Sequence, residues 1–453
     1  MATETEIKLR VSPSDMDKLA DHPLFNRYRS QDWQSRELLN AYYDTDKGDL
    51  AHAQVALRIR RDGEQFIQTL KSKGASVAGL SERNEWDWYI DSDVLVHSHL
   101  DDSCWPQSLQ KLDKGQLHEL FRTDFIRKSV ELVWEHRGVA TRVEVALDLG
   151  KVITAKGEEQ ICELELELRE GQPAALLELA QELAADIALM PCDISKAERG
   201  YRLLQTDSFD LEVGQTTLVA ETTIESAFVM LMQEKLAASQ RLAEQYRHTG
   251  EWKLLQSWFG QLTAMRALLS SVGQVVPRKT SHSLRLALDA LLTDWEPKIK
   301  AGVATREQRD VAPAQFAAEL EQTRWGVFSL ELALWLHDSA WQEGRSERVK
   351  RQAEAPLGRW LTRFFQEEGQ ALGLEAYKLK PYALYDQQPR LERVVVWLEA
   401  ARHVLIANEL DDTLGVVRKL LHGLLTDNEE ERPVNLIQVG ADKGWKALLR
   451  GSY

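Results

Sequence analysis

Cysteine is scarce in this chain: three residues in 453, at Cys104, Cys162 and Cys192. Their spacing matches neither a disulfide framework nor a zinc site, so a reducing compartment is expected and the three read as small buried hydrophobes. No apolar run reaches membrane length, and the chain is polar from Glu4 onward, unlike a signal peptide. A cytoplasmic protein with no membrane partner is the expectation. Positive charge is in deficit, 56 Lys and Arg against 71 Asp and Glu, for a net charge of −15. That balance argues against a generic nucleic-acid surface and leaves room only for a local basic site.

What is present is charge written with a period of two. Glu4-Thr5-Glu6-Ile7-Lys8-Leu9-Arg10 opens the chain, and side chains alternate across a strand, so Glu4, Glu6, Lys8 and Arg10 share one face. The same pattern returns in Arg58-Ile59-Arg60, in Arg83-Asn84-Glu85-Trp86-Asp87 and in Glu163-Leu164-Glu165-Leu166-Glu167. One such strand could be a solvated edge. Several, mixing carboxylates and cations, imply a closed sheet with a charged interior.

A length of 453 residues favours two domains of roughly 200 residues each. Asp62-Gly63 and Arg137-Gly138 are hairpin signals in the first half, with helical patches at Ser14–Ala20, Leu112–Leu120 and Ala174–Ile187. After residue 205 the period becomes helical. Thr222-Thr223-Ile224-Glu225 offers a capping box, and Leu255, Trp258, Phe259 and Leu262 follow helical spacing, as do Leu391, Val395, Leu398 and Leu405. The expected fold class is α+β: a mainly antiparallel β domain with a few accessory helices over 1–205, a linker over 206–220, an all-α bundle over 221–435 broken by a loop near Pro381 to Pro389, and a tail over 436–453.

Glu4, Glu6, Glu163 and Glu165 would be costly to enclose together without a hard cation, and oxygen-only ligation suits Mg²⁺ or Mn²⁺. Lys8, Arg58, Arg60, Lys71 and Arg127 would be costly alone as well. A chain of phosphates between them and a metal balances both sets.

These residues resemble the CYTH superfamily of triphosphate tunnel metalloenzymes over residues 1 to 205. Glu4-x-Glu6-x-Lys8 resembles its opening signature, Leu57-Arg58-Ile59-Arg60 its paired-arginine strand, Thr69-Leu70-Lys71 its lysine strand and Glu82-Arg83-Asn84-Glu85 the next. Thr123-Asp124-Phe125-Ile126-Arg127, Glu144-Val145-Ala146-Leu147-Asp148, Glu163-Leu164-Glu165 and Ser195-Lys196-Ala197-Glu198-Arg199 follow in order. The resemblance implies that residues 1–205 form an eight-stranded antiparallel β tunnel with triphosphate along its axis. Glu4, Glu6, Glu163 and Glu165 would hold Mg²⁺ or Mn²⁺, with Glu85 and Asp148 supporting metal or water placement. Lys8, Arg58, Arg60, Lys71, Arg83, Arg127 and Lys196 would grip phosphate. Arg122 is a weaker candidate, because five residues from Arg127 it points to the other face.

The activity implied is metal-dependent hydrolysis of inorganic triphosphate, with longer polyphosphate as a further ligand. Thiamine triphosphatase, class IV adenylyl cyclase or a non-catalytic polyphosphate scaffold remain alternatives. The helical half resembles CHAD, a domain associated with polyphosphate binding, although most of its expected basic positions are apolar in Leu255–Arg266 and Leu391–His403. Trp258, Phe259 and Trp397 read as core, and His248, His282, His337, His403 and His422 are scattered. Packing on the tunnel, or shaping access to it, is the other role open to this half.

Overall fold

A computed structural model describes residues 2–72, 74–77, 80–205, 211, 213, 216–320, 323–373, 385–402, 404–405, 410–425 and 431–451. The chain divides into two units, one of residues 1–211 with 319–337 and one of 212–318 with 338–453.

The first unit holds ten strands: β1 (Ala2–Arg10), β2 (Gln34–Asp44), β3 (Val55–Asp62), β4 (Gln65–Ser72), β5 (Ala75–Val77), β6 (Leu80–Ile90), β7 (His118–His136), β8 (Val139–Thr154), β9 (Gly157–Glu170) and β10 (Met190–Pro191). Eight of them close into an antiparallel ring in the order β1-β9-β8-β7-β2-β3-β4-β6, sealed by β1 pairing with β6. Closure gives each strand an inner and an outer face, and the register decides which residues share the lumen. Lys8 stands opposite Glu165, Arg10 opposite Glu163 and Glu4 opposite Arg83. Arg58 stands opposite Tyr42, Arg60 opposite Asn40 and Arg127 opposite Asp148.

The residues between these face outward and are apolar. Ile7, Leu9, Leu57, Leu70, Leu164 and Leu166 are fully buried. Short helices α1 (Met16–Ala20), α2 (Pro23–Tyr28) and α3 (Asp49–His52) flank the ring, while α4 (Ala174–Ala184) packs on β1, β7 and β9. Helix α5 (Lys196–Leu204) packs on β7, β8 and β9. The two expected hairpins form, and Arg137 and Gly138 both take positive φ in the tight β7–β8 turn. The helix expected over Leu112–Leu120 does not: the Asp113 carboxylate accepts the Gly115 N–H, leaving one 3₁₀ turn at Lys114–Gln116 before β7 begins at His118.

Among the described residues eleven further helices follow, all in the helical half apart from one that joins the first unit: α6 (Ile224–Thr249), α7 (Trp252–Ser271), α8 (His282–Ala304), α9 (Arg306–Leu320), α10 (Thr323–His337), α11 (Glu347–Ala353), α12 (Leu357–Leu372), α13 (Gln388–Ala401), α14 (Leu410–Leu425), α15 (Glu431–Ala441) and α16 (Lys443–Arg450). Helix α10 is the exception: it packs along α4 and against β10 in the first unit. Gly326 makes that approach possible, since a Cβ there would lie 1.9 Å from the Leu189 carbonyl oxygen.

In the second unit Trp258 and Trp397 are fully buried as expected, and Trp258 meets Trp295 edge to face at 4.7 Å. The cap of α6 is Thr223, whose hydroxyl accepts the Ser226 N–H. Glu225 closes no capping box; its carboxylate is drawn instead to Arg345 at 2.7 Å and the Trp341 indole at 2.5 Å. Pro389 sits in the first turn of α13, where its missing N–H costs nothing, and residues 381–384 of the expected loop lie outside the described residues. The segment expected as a tail is helical because Asp442 caps α16 and Trp445 is buried. Among the described residues no helix is long and apolar enough to cross a membrane.

Candidate active site

The lumen is a network of cations and carboxylates paired across neighbouring strands. Lys71 reaches Glu4 at 2.7 Å and Glu85 at 3.2 Å, and Arg58 approaches Glu85 at 3.6 Å. Arg83 meets Glu6 at 3.1 Å, while Lys8 lies 3.4 Å from both Glu6 and Glu165. Burial alone would disfavour the charged form of Glu6, yet Lys8 and Arg83 outweigh it and hold that carboxyl at about 2. Burial likewise opposes the Lys8 ammonium, which Glu6 and Glu165 nonetheless keep above its ordinary value.

One end of this network is a compact acid cluster. Asp148, Glu163 and Glu165 are buried, with carboxylate oxygens all within 4.8 Å of one another. Arg127 grips both oxygens of Asp148 at 2.7 Å and Glu165 at 2.5 Å. The Lys196 ammonium touches all three acids, at 2.7 Å from Asp148, 2.9 Å from Glu165 and in contact with Glu163. Against the cost of burial, those three carboxylates raise the Lys196 pKa above its ordinary value, and Arg127 and Lys196 together lower that of Asp148.

Local sequence explains how Lys196 arrives there. Ser195 and Glu198 form a reciprocal capping box, which fixes Lys196 as the first residue of α5. Gly200 lets the helix sit on Phe121, because a Cβ would lie 2.2 Å from that ring. Of the acids expected to hold metal, Glu163 and Glu165 thus stand with Asp148, whereas Glu4 and Glu6 lie outside that trio. The register is the reason: Glu6 is paired with Glu167, one step along β9, and Lys8 intervenes between Glu6 and Glu165.

Arg60 differs from the other lumen cations. Its Nε donates to Asn40 Oδ1 at 2.8 Å, and among the described residues no carboxylate lies within ion-pair range of it. Burial, then Arg58 and Arg127 nearby, pull its pKa down to about 9. Arg58 is held above its ordinary value despite burial, through Tyr42 and Glu85. Arg122 points outward, half exposed and paired with Glu119 at 2.9 Å.

Several lumen residues escaped the sequence reading. Asn40 and Tyr42 lie on β2, whose inner face carries no alternating charge to announce it. Arg199, fully buried, donates to Glu163 at 2.8 Å, and Arg202 reaches Glu159 at 2.8 Å, where it meets Arg10, which the alternation of β1 had already put on the charged face. A signal for these did exist, in the i, i+3 spacing of Lys196, Arg199 and Arg202 along α5.

In the second unit a groove between α7, α8, α12 and α13 collects Arg266, Arg278, Arg285, Arg363, Arg390 and Arg393. Arg266 is paired with Asp289, and Arg390 and Arg393 with Glu368. Burial and the charges of Arg266 and Arg278 pull Arg285 down to about 10. Arg266 and Arg393 thus lie in the two segments where basic positions were sought, while Arg278, Arg285, Arg363 and Arg390 come from outside them. Arg402 pairs with Asp411 at 3.2 Å, and His403 lies outside the described residues.

The three clustered carboxylates suit a hard divalent cation, since their donors are oxygen alone and stand close enough to share one ion. Residues 2–201 match the family model described as the CYTH domain. An inorganic triphosphatase of Haemophilus influenzae is 31% identical over 204 residues, which are 45% of this chain and 55% of that protein. The chain thus spans about half the length of this curated relative. Among solved structures, a Hippeastrum protein described as having a dominant triphosphatase activity shares 22% identity, covering 44% of this chain and 96% of its own, with a TM-score of 0.32. An inorganic triphosphatase shares 16%, covering 39% of this chain and 79% of its own, with a TM-score of 0.16.

Proposed function

We propose, for a chain whose residues 2–201 match the CYTH domain model, that the lumen hydrolyses inorganic triphosphate to pyrophosphate and phosphate with a divalent metal ion, Mg²⁺ or Mn²⁺. The observation that carries this reading is Arg60: a half-buried guanidinium, aimed by Asn40, with no carboxylate within ion-pair range among the described residues, calls for an anion supplied from outside. Arg58, Lys71, Arg83, Lys8 and Arg127 surround the same interior. Each can release part of its carboxylate pairing to a phosphate oxygen, so charge is exchanged rather than left bare.

Glu163, Glu165 and Asp148 would hold the metal, with Glu6 and Glu4 beyond Lys8 as further oxygen donors. When bound, the metal supplies Lewis-acid stabilisation of charge on the phosphoryl oxygens. The protein's own part is positioning. Arg60, Arg58 and Arg127 orient the chain of phosphates, and burial of the site strengthens every one of these contacts. Glu85, tied to Arg58 and Lys71, would accept a hydrogen bond from an attacking water. No covalent nucleophile is required.

Purified protein given inorganic triphosphate, pyrophosphate, ATP, thiamine triphosphate and long polyphosphate, with and without Mg²⁺, tests the reading. Release of phosphate from inorganic triphosphate in preference to the others is expected. Cyclic AMP from ATP, or preference for thiamine triphosphate, would replace it. A second reading concerns longer polyphosphate: the arginine-lined groove of the helical unit supports binding of an extended polyanion there, in keeping with the CHAD resemblance. Loss of polyphosphate binding in Arg278→Ala with Arg285→Ala, with triphosphate turnover retained, is the expected outcome.

A further inference from the structure

The acid cluster is already neutral. Asp148, Glu163 and Glu165 contribute three negative charges, and Arg127, Arg199 and Lys196 contact them closely with three positive ones, while Lys8 stands farther off, 3.4 Å from Glu165 and equally from Glu6, whose charge balances it. A divalent ion entering this cluster would leave it with two excess positive charges in a buried place, an arrangement that desolvation makes costly. One resident cation must then withdraw. Arg127 is fixed by a two-pronged bond to Asp148, and Arg199 is fully buried against Glu163. Lys196 alone touches all three acids, so its ammonium sits where a shared metal would sit. It also stands on a flexible four-carbon stem at the first residue of a helix, with the Phe125 ring 4.9 Å away.

We propose that Lys196 is a placeholder cation: its ammonium and the divalent metal compete for the Asp148, Glu163 and Glu165 oxygens, and metal binds fully only once the ammonium has swung toward another anion. Triphosphate is that anion, being the polyanion the neighbouring Arg127 would also grip. Metal and triphosphate therefore bind with positive coupling, each making room for the other. This rests on the metal assignment of the preceding subsection and adds to it an order: the ligand-free protein resists metal, and the phosphate chain unlocks the cluster.

The test is Mn²⁺ binding to the full-length protein without triphosphate, by calorimetry or by the loss of free-ion electron paramagnetic resonance signal. Lys196→Gln should bind Mn²⁺ at least about fivefold more tightly than wild type, the lower end of usual coupling factors, although its turnover falls. Equal or weaker binding, with Glu163→Gln still reducing Mn²⁺ affinity, overturns the placeholder and keeps the metal assignment. If the gain of Lys196→Gln survives addition of Glu163→Gln, the metal lies elsewhere and both fail. Should Lys196→Gln not fold, the wild-type protein is read directly after reductive ¹³C-methylation of its lysines. The resonance missing from Lys196→Arg should move on titration with MgCl₂, and a resonance unmoved at Mg²⁺ concentrations that raise the melting temperature overturns the proposal.

Discussion

Asn40 and Arg60 face each other across β2 and β3, and the 2.8 Å bond from the Arg60 Nε to the Asn40 oxygen fixes the one lumen guanidinium that has no carboxylate partner among the described residues. Asn40 is itself held by its amide, which donates to the Thr123 carbonyl at 2.8 Å. Arg60→Ala should therefore weaken triphosphate binding by roughly 10- to 100-fold, the worth of a charge-assisted bond, and Asn40→Ala by about fivefold through loss of aim. Calorimetric titration checks both. Unchanged affinity in Arg60→Ala would remove this arginine from the site.

Acid should unfold the first unit earlier than its carboxylate content alone suggests. Glu6 titrates at about 2 in the folded state against an ordinary 4.5, and Asp148 and Glu165 are also lowered. For a depressed carboxyl the stabilisation is complete above its unfolded value and is lost as pH falls from about 4.5 toward 2. Denaturant midpoints should stay level from pH 6 to about pH 5 and fall from there to pH 3, and Glu6→Gln should flatten that fall.

Glu167 has the opposite sign. Burial first, then Glu4 and Glu144, push it up to about 7 although Arg169 opposes them. Its ionisation is harder in the folded state, so it withdraws stability as pH rises from 4.5 to 7. Glu167→Gln should be more stable than wild type at pH 8 and equal to it at pH 4.5, as read from melting temperatures.

Hydrolysis should stop in excess chelator and return with Mg²⁺. Glu165→Ala should lower turnover by about 100-fold or more, the scale on which positioned groups act, while circular dichroism shows the fold retained. Full activity in chelator would sink the metal assignment.

Trp258→Ala should cost the helical unit about 3–5 kcal/mol, since it removes a fully buried ring packed edge to face on Trp295. Triphosphate affinity should stay unchanged. Chemical denaturation with two-phase fitting separates the units.

Strand alternation made the lumen legible. Apart from Arg122, the weaker candidate, every charged residue named on β1, β3, β6, β7 and β9 for phosphate or metal faces inward, because a period of two permits no other arrangement once the ring closes. What alternation cannot carry is register between strands. Hence the trio of Asp148 with Glu163 and Glu165 emerged only from the pairing of β8 with β9, and the separation of Glu6 from it only from the pairing of β1 with β9. Asn40 was invisible for a different reason: an amide among apolar neighbours looks like an ordinary strand residue until Arg60 is placed opposite. The helical groove gathers arginines distant in sequence, where periodicity within any one helix says nothing.

Helix α10 gives the chain a timetable. Its partner α4 ends at Ala184, some 140 residues earlier, and Ala175, Leu176, Leu179, Ala180 and Leu183 of α4 are fully buried in the finished unit between the strands on one side and α10 on the other. During synthesis the ring of strands is complete by Glu170, yet that apolar helix must wait until His337 has been made. At about 5–20 residues per second the interval is several seconds or longer, spent with a greasy surface open to any passing hydrophobic segment. Order of manufacture, and whatever shields α4 meanwhile, is thus part of how this protein comes to exist.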